Sequence, residues 1–202
     1  YKLKEITNIY NLFEKTVSIH ADKLGISNSG KKLSYQEINQ KVNQLSTYLS
    51  EKGIEKGSIV LLYLTRQEWI PISILALMKL GATYVPLDVT LPEKRLSYIC
   101  EDVKADIIIH LSNKPPNWRL PSFINSVVID NILLPETPSV HKSVSYDTTD
   151  VVFIIYTSGS TGKPKGVEIN HQSLINFCLS IQKKINFIEI DHILAVSTIS
   201  FD

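Results

Sequence analysis

The apolar residues of this chain recur in two patterns, one typical of amphipathic helices and one typical of buried strands. Helical spacing predicts helices at 6–20, 34–53, 68–80, 91–102 and 172–185. Short, largely apolar runs predict strands at 58–64, 82–88, 105–111, 126–130, 150–156, 166–170 and 192–197. Two further short strands are predicted around an Asn-Ser-Gly turn within 24–35, and the Pro-rich segment 113–150 is otherwise expected to be mostly loop.

Local signals mark where several of these helices begin and end. Ser34 and Glu37 have the spacing of a capping box at a helix start. Gly53 and Gly81 follow apolar helical runs, where a left-handed cap is expected. Pro92 is predicted to open a helix at its first turn.

The predicted strands are continuously apolar rather than alternating, and most are separated by helices. This order indicates an α/β fold with a layered, mostly parallel sheet flanked by helices, because both faces of such a sheet must be covered. Ligands of these sheets gather at the carboxyl ends of the strands. The loop that follows the most apolar strand, Val151–Ile155, is therefore the leading candidate site.

Composition narrows the class of protein. The chain has 202 residues, 44% of them hydrophobic, which is enough for a sizeable core. Lys and Arg total 21 against 20 for Asp and Glu, so charge gives no case for a nucleic-acid or membrane partner. No apolar stretch reaches membrane-spanning length, and Tyr1 begins neither a secretory leader nor an evident natural terminus. Cys100 and Cys178 fit buried thiols in a cytoplasmic protein without a disulfide framework.

The candidate loop, YTSGSTGKPKG at 156–166, holds three glycines, five hydroxyl side chains, two lysines and no acid. Glycines let the backbone approach an anion, hydroxyls donate hydrogen bonds, and lysines supply the charge that a polyphosphate requires. The alternative is an ordinary surface turn, which the paired lysines and the buried preceding strand disfavour. Neither the Walker pattern nor the dinucleotide-binding glycine pattern fits, since Thr157, Thr161 and Pro164 occupy positions that those patterns reserve for other residues.

The same loop resembles the signature loop of the adenylate-forming superfamily, which includes acyl-CoA ligases, luciferases and the adenylation domains of nonribosomal peptide synthetases. The resemblance extends to LSYQEINQKVNQLSTYL, LMKLGATYVPLD, LPEKRLSYICED and the closing STISFD. The chain is most similar to the peptide synthetase branch and its relatives that load D-alanine. The resemblance implies that residues 1–202 are the first part of the large N-terminal domain of an adenylation domain, with the rest of that domain and the small C-terminal domain absent.

Carried over residue by residue, the resemblance implies the following site. Thr157 and Ser158 open the loop that contacts ATP, and Lys165 is one of the residues that enclose the phosphates. Of the two loop lysines, Lys165 is predicted to be the catalytic residue, because Gly166 beside it permits close backbone approach and the following strand anchors it. The remaining ATP- and pyrophosphate-binding positions are Gly159, Ser160, Thr161, Gly162, Lys163 and Gly166. Asp202 matches the acidic residue that pairs with the α-ammonium group of an amino acid substrate. No protein ligand to a metal is implied.

The implied reaction joins an amino acid carboxylate to AMP with release of pyrophosphate, using ATP and Mg²⁺. Family members then pass the acyl group to a phosphopantetheine thiol on a peptidyl carrier domain, in cis or in trans. Later motifs of the family lie beyond Asp202, so the chain alone is expected to be inactive. Which amino acid is activated is not evident from these residues.

Two alternatives remain open at this stage. One is an acyl- or aryl-CoA ligase of the same superfamily, against which Asp202 argues because an apolar acyl pocket gains nothing from a carboxylate. The other is a non-catalytic scaffold, against which the intact loop argues. Lys94 and Arg95 are expected to face solvent or brace a strand end, and Glu101 and Asp102 to form solvated surface. Trp69 is expected to pack in the core, and the five histidines show no metal spacing.

Overall fold

The computed structural model describes residues 8–130, 145–158, 163–186, 188 and 191–200. Within those ranges the helices are α1 Ile9–His20, α2 Tyr35–Glu51, α3 Trp69–Leu80, α4 Glu93–Val103 and α5 His171–Ile185. The strands there are β1 Leu24–Asn28, β2 Lys31–Ser34, β3 Ile59–Tyr63, β4 Thr83–Pro86, β5 Ile107–His110, β6 Asn125–Val128, β7 Val151–Ser158 and β8 Pro164–Asn170.

Six strands form one sheet in the order β6-β5-β3-β4-β7-β8. Every neighbouring pair in it is parallel except β7 and β8, which are antiparallel. β1 and β2 form a separate antiparallel hairpin. The predicted α/β class with a mostly parallel sheet flanked by helices is thus confirmed.

Strand β3 shows why the strands are apolar at successive positions. Val60 and Leu62 point into a core cluster that also holds buried residues of α2 and α3. Leu61 and Tyr63 point to the opposite side, into a cluster that holds Leu96, Ile99 and Cys100 of α4. Because helices cover both faces of the sheet, successive residues of one strand are buried, although they point to opposite faces.

The predicted helix caps are present. The Glu37 backbone N–H donates to Ser34 Oγ at 3.2 Å, and the Ser34 N–H donates to Glu37 Oε2 at 2.7 Å. Gly53 and Gly81 have φ of 89° and 71°, the left-handed region that glycine adopts without strain. Pro92 was predicted to lie in the first turn of a helix, but it occupies the N-cap position instead, and α4 begins one residue later at Glu93.

The predicted strand at 192–197 is wrong. Residues 191–196 have no regular secondary structure, and Ile193, Leu194 and Val196 are exposed. A strand requires a neighbour to pair with its backbone groups, and no strand in the described part of the chain pairs with this segment. The Arg66 guanidinium instead donates to the carbonyls of Val196 and Ser197.

Both tryptophans lie against the core. Trp69 packs on the cluster beneath α2 and α3, as predicted. Trp118 comes from the loop before β6, yet it is buried against Tyr63 with ring centroids 4.9 Å apart in an edge-to-face arrangement. Cys100 and Cys178 are free thiols.

No helix among the described residues combines the length and the apolar character required to span a bilayer.

His171, the first residue of α5, gives a testable pH dependence. Its side chain is 3% exposed and its ring lies 5.5 Å from that of Tyr146, centroid to centroid. Burial, opposed by nearby Asp150, lowers the pKa of His171 below its ordinary value of 6.5. As the pH falls, the imidazole of the unfolded chain therefore takes up a proton before that of the folded chain does. The free energy of unfolding should fall as the pH drops from about 6.5 towards the pKa of the folded state.

Urea unfolding between pH 7 and pH 5 should show this loss, and His171→Gln should reduce it. The same pH slope in both proteins would contradict the assignment.

Candidate functional site

The candidate loop connects the two strands of an antiparallel hairpin. Ser158 of β7 pairs with Pro164 of β8, Thr157 pairs with Lys165, and Tyr156 pairs with Gly166. The sequence predicted strands on both sides of the loop but not their antiparallel pairing. The connection from β7 to β8 starts at the carboxyl end of β7, which is the predicted place for a ligand of this sheet.

Several predicted site residues lie outside the described ranges, and the others lie in β7, in β8 or directly before β8. Outside are Gly159, Ser160, Thr161 and Gly162 of the loop, and Asp202. Thr157 and Ser158 end β7, whereas Lys165 and Gly166 belong to β8. Lys163 precedes β8 and, like Lys165, is exposed. The structure therefore brings the described members of the predicted site together where the end of β7 faces the start of β8.

The two faces of the hairpin differ. Directly opposed residues of an antiparallel pair project from the same face, so Thr157 and Lys165 lie on one side. On that side Thr157 lines an apolar groove together with Ile155 and Val167 and with residues of α5. Tyr156 lies on the other side, packed on the cluster beneath α4.

Tyr156 connects the hairpin to α4. Its hydroxyl donates to Asp102 Oδ2 at 2.7 Å. Burial, together with this contact to a carboxylate, raises the pKa of the Tyr156 phenol well above its ordinary value. Asp102 is exposed, as predicted for solvated surface, but it also holds the residue at which the candidate loop begins.

Gly166 is required by the close approach of β7. A Cβ at this position would lie 2.9 Å from Ile154 Cγ2 and 3.2 Å from Tyr156 Cζ. Gly166→Ala should therefore push the Tyr156 ring away and lower the free energy of unfolding by about 1–3 kcal/mol, the usual cost of overpacking. Urea denaturation measures this loss.

Glu168→Ala is the matched control, because Glu168 is exposed two residues further along the same strand. It should change stability by less than about 0.5 kcal/mol. A Gly166→Ala protein as stable as the control would show that the hairpin relaxes around the added methyl group.

A cavity of about 380 Å³ opens beside the end of β7, and we call it the hairpin cavity. Its walls come from the end of β4, from α4, from β7 and from the segment before Asp202. The polar residues lining it are Asp88, Arg95, Tyr156, Thr157, Ser158, Thr198 and Ser200. The predicted ATP-contacting residues Thr157 and Ser158 thus share a cavity with residues that are far from them in sequence.

Asp88 lies between the hairpin cavity and a neighbouring cavity of about 500 Å³. Its Oδ1 accepts hydrogen bonds from the Thr90 backbone N–H at 2.8 Å and the Thr90 hydroxyl at 2.7 Å. Burial raises the pKa of Asp88, but these hydrogen bonds and one from Thr198 outweigh burial and hold the pKa below its ordinary value. The Asp88 carboxylate is therefore charged and already accepts hydrogen bonds from Thr90 and Thr198.

Arg95 and Asp88 are cavity residues that sequence analysis did not assign to the site. Arg95 was expected to face solvent or brace a strand end, yet it lines the hairpin cavity. For Asp88 a signal existed, since it follows the predicted strand ATYVPLD at the ligand-binding edge of the sheet. For Arg95 none existed, because its position depends on how α4 packs against the sheet.

Metal ligation by protein side chains has no support within the described ranges. No group of three or more His, Cys, Asp or Glu residues there could hold a metal ion. The hydroxyls and lysines around the hairpin turn are donors and cations, and they suit an anion.

Comparison with known proteins agrees with these features. A family model described as "AMP-binding enzyme" matches residues 13–202. The chain is 33% identical over 205 residues to "Dimodular nonribosomal peptide synthase" of Bacillus subtilis, covering 100% of this chain and 9% of that protein. It is 34% identical over 197 residues to "Gramicidin S synthase 1" of Brevibacillus brevis, covering 96% of this chain and 18% of that protein.

A solved structure shows the same fold. The four-domain nonribosomal peptide synthetase holo-AB3403, bound to AMP and glycine, matches with a TM-score of 0.84 and 29% identity. The match covers 96% of this chain and 14% of that one. The chain therefore spans less than a fifth of the length of each of these relatives.

Proposed function

Because the chain belongs to the AMP-binding enzyme family, we propose that the protein carrying it activates an amino acid as aminoacyl-AMP. ATP would be the second substrate and pyrophosphate the second product. The observation that supports this most directly is the β7–β8 hairpin, which brings Thr157, Ser158 and Lys165 together at the carboxyl end of β7. The named relatives are nonribosomal peptide synthetases, and the matched structure is bound to AMP and glycine.

We propose that residues 1–202 form the N-terminal portion of an adenylation domain. The residues 157–166 would hold the polyphosphate of ATP, and Asp202 would pair with the α-ammonium group of the substrate. The acyl group would then pass to a phosphopantetheine thiol on a carrier domain, in cis or in trans. The free thiols Cys100 and Cys178 are consistent with a cytoplasmic location.

The proposed chemistry is one displacement at phosphorus. A carboxylate oxygen of the amino acid attacks the α-phosphorus of ATP and forms the acyl–phosphate bond. The bond from that phosphorus to the bridging oxygen breaks, and pyrophosphate leaves with the electron pair. Negative charge grows on the leaving group, so fixed hydroxyl donors and lysines around the hairpin turn would stabilise the transition state more than the bound substrate.

Mg²⁺ would enter with ATP. Magnesium is commonly held by substrate phosphates together with few protein ligands, and the described residues contain no cluster that could hold a metal ion by itself. Its contribution would be to neutralise phosphate charge, and the residues of this chain would contact the phosphates through hydroxyl, backbone N–H and lysine groups.

Pyrophosphate exchange tests the proposal. The complete protein, incubated with ATP, labelled pyrophosphate and a pool of amino acids, should incorporate label into ATP, and omitting the amino acids should abolish incorporation. Separate pools of fatty acids and aryl acids serve as controls. Exchange supported by those acids and not by amino acids would assign the protein to the acyl- or aryl-activating branch, and binding of ATP without exchange in any pool would indicate a non-catalytic scaffold.

A further inference from the structure

Arg95 is an unusual residue of the hairpin cavity because its guanidinium has a buried donor without a partner. The residue lies in the first turn of α4, where its backbone N–H donates to the Pro92 carbonyl at 2.9 Å. Its side chain lines the cavity together with Thr157 and Ser158. The Nε atom is buried and has no hydrogen-bond partner among the described residues. A buried donor without a partner is unfavourable, and a ligand that accepts from it would remove that cost.

The nearby carboxylates do not neutralise Arg95. Asp88 shares the cavity, but its Oδ1 accepts both hydrogen bonds from Thr90. Asp102, the last residue but one of α4, accepts from the Tyr156 hydroxyl. Within the described ranges, no ion pair joins Arg95 to an acidic side chain. The cavity therefore contains a guanidinium whose charge is not balanced by a direct contact.

We infer that Arg95 binds a phosphate oxygen of the nucleotide, an inference that rests on the proposed function. A guanidinium presents several N–H donors in one plane and so matches the oxygens of a phosphate. Thr157 and Ser158, two residues of the candidate loop, line the same cavity. Arg95 thus adds a cation from α4 to the wall of this cavity.

Binding measurements on the complete protein test this directly. Isothermal titration calorimetry with ATP, pyrophosphate and adenosine would be run on the unaltered protein, on Arg95→Met and on Arg95→Lys. Arg95→Met should weaken ATP and pyrophosphate binding about 10- to 100-fold, the range for loss of a charge-assisted hydrogen bond. Arg95→Lys should lose less, because it keeps the charge but not the planar donor pair. Adenosine binding should be unchanged in both.

Lys94→Met is the matched control, because Lys94 is the exposed neighbour of Arg95 on the same helix. It removes one positive charge without touching the hairpin cavity, and its ATP affinity should stay within about twofold of the unaltered protein, as is usual for exposed sites. If Arg95→Met does not fold, the same comparison applies to Arg95→Lys. Unchanged ATP affinity in the Arg95 variants, or an equal loss for adenosine, would overturn the inference.

These outcomes separate the inference from the proposed function. A protein that binds ATP through Arg95 but supports no amino acid-dependent exchange would retain the Arg95 assignment and lose the substrate assignment. A protein that exchanges pyrophosphate normally with Arg95→Met would retain the function and lose the Arg95 assignment. Absence of ATP and pyrophosphate binding in the unaltered protein would overturn both.

Discussion

Replacing Lys165 with alanine should lower the kcat of amino acid-dependent pyrophosphate exchange by about 10²- to 10³-fold, the cost of removing one donor to developing charge. Lys165 lies in β8, where pairing with Thr157 fixes its backbone, and its neighbour Gly166 allows β7 to pack closely against β8. The charge on pyrophosphate grows as the bond to phosphorus breaks. The KM for the amino acid should therefore change far less than kcat.

Two comparisons make this result specific. Lys163 is expected to matter less, since it precedes the strand and its neighbour Pro164 restricts the directions available to it. Lys184→Ala, at an exposed position on α5, is the control for loss of one positive charge. Equal losses in kcat and amino acid affinity for Lys165→Ala, or a loss no larger than that of Lys184→Ala, would count against Lys165 as the catalytic residue.

Replacing Asp202 with alanine should weaken amino acid-dependent exchange by roughly 10²- to 10³-fold. An α-ammonium group left without its carboxylate in a desolvated pocket costs about 3–5 kcal/mol, and each 1.4 kcal/mol is a factor of ten. The loss should appear in the KM for the amino acid, and the affinity for ATP should stay unchanged. Steady-state exchange kinetics with varied amino acid and varied ATP separate the two.

Asp202→Asn is the informative companion, because it keeps the size of the side chain and removes its charge. It should fall close to Asp202→Ala if charge is what matters. An enzyme that activates fatty or aryl acids and is indifferent to both changes would belong to the acyl-activating branch. Asp191→Ala, at an exposed acidic position near the other end of the same segment, is the control for loss of one negative charge.

Sequence alone was sufficient wherever a feature depends on neighbouring residues. The capping box of Ser34 and Glu37 needs only residues three apart, and the left-handed turns at Gly53 and Gly81 need only a residue without a Cβ. The strand β3 was recognisable because burial on both faces leaves no polar position in it. The eleven-residue loop was distinctive because its composition departs so far from that of an ordinary turn.

Whether an apolar segment finds a neighbouring strand to pair with was not predictable from its amino-acid composition. The segment 192–197 has the apolar composition of a strand, but a strand forms only when another chain segment satisfies its backbone groups. The antiparallel pairing of β7 with β8 differs in this respect, because the short connection between the two strands, which cannot contain a crossover helix, is visible in the sequence.

The candidate site likewise combines features that the sequence determines with contacts that depend on the tertiary structure. Sequence determined by itself the α/β class, most of the helix limits and which loop is the candidate site, because each depends on local propensity, on residue composition and on the period of the apolar residues. Only the tertiary structure decided that Arg95 and Asp88 share a cavity with Thr157 and Ser158, and that Asp102 holds Tyr156. These pairs are about 54 to 70 positions apart in sequence, and packing of α4 and the hairpin against one sheet is what brings them within reach.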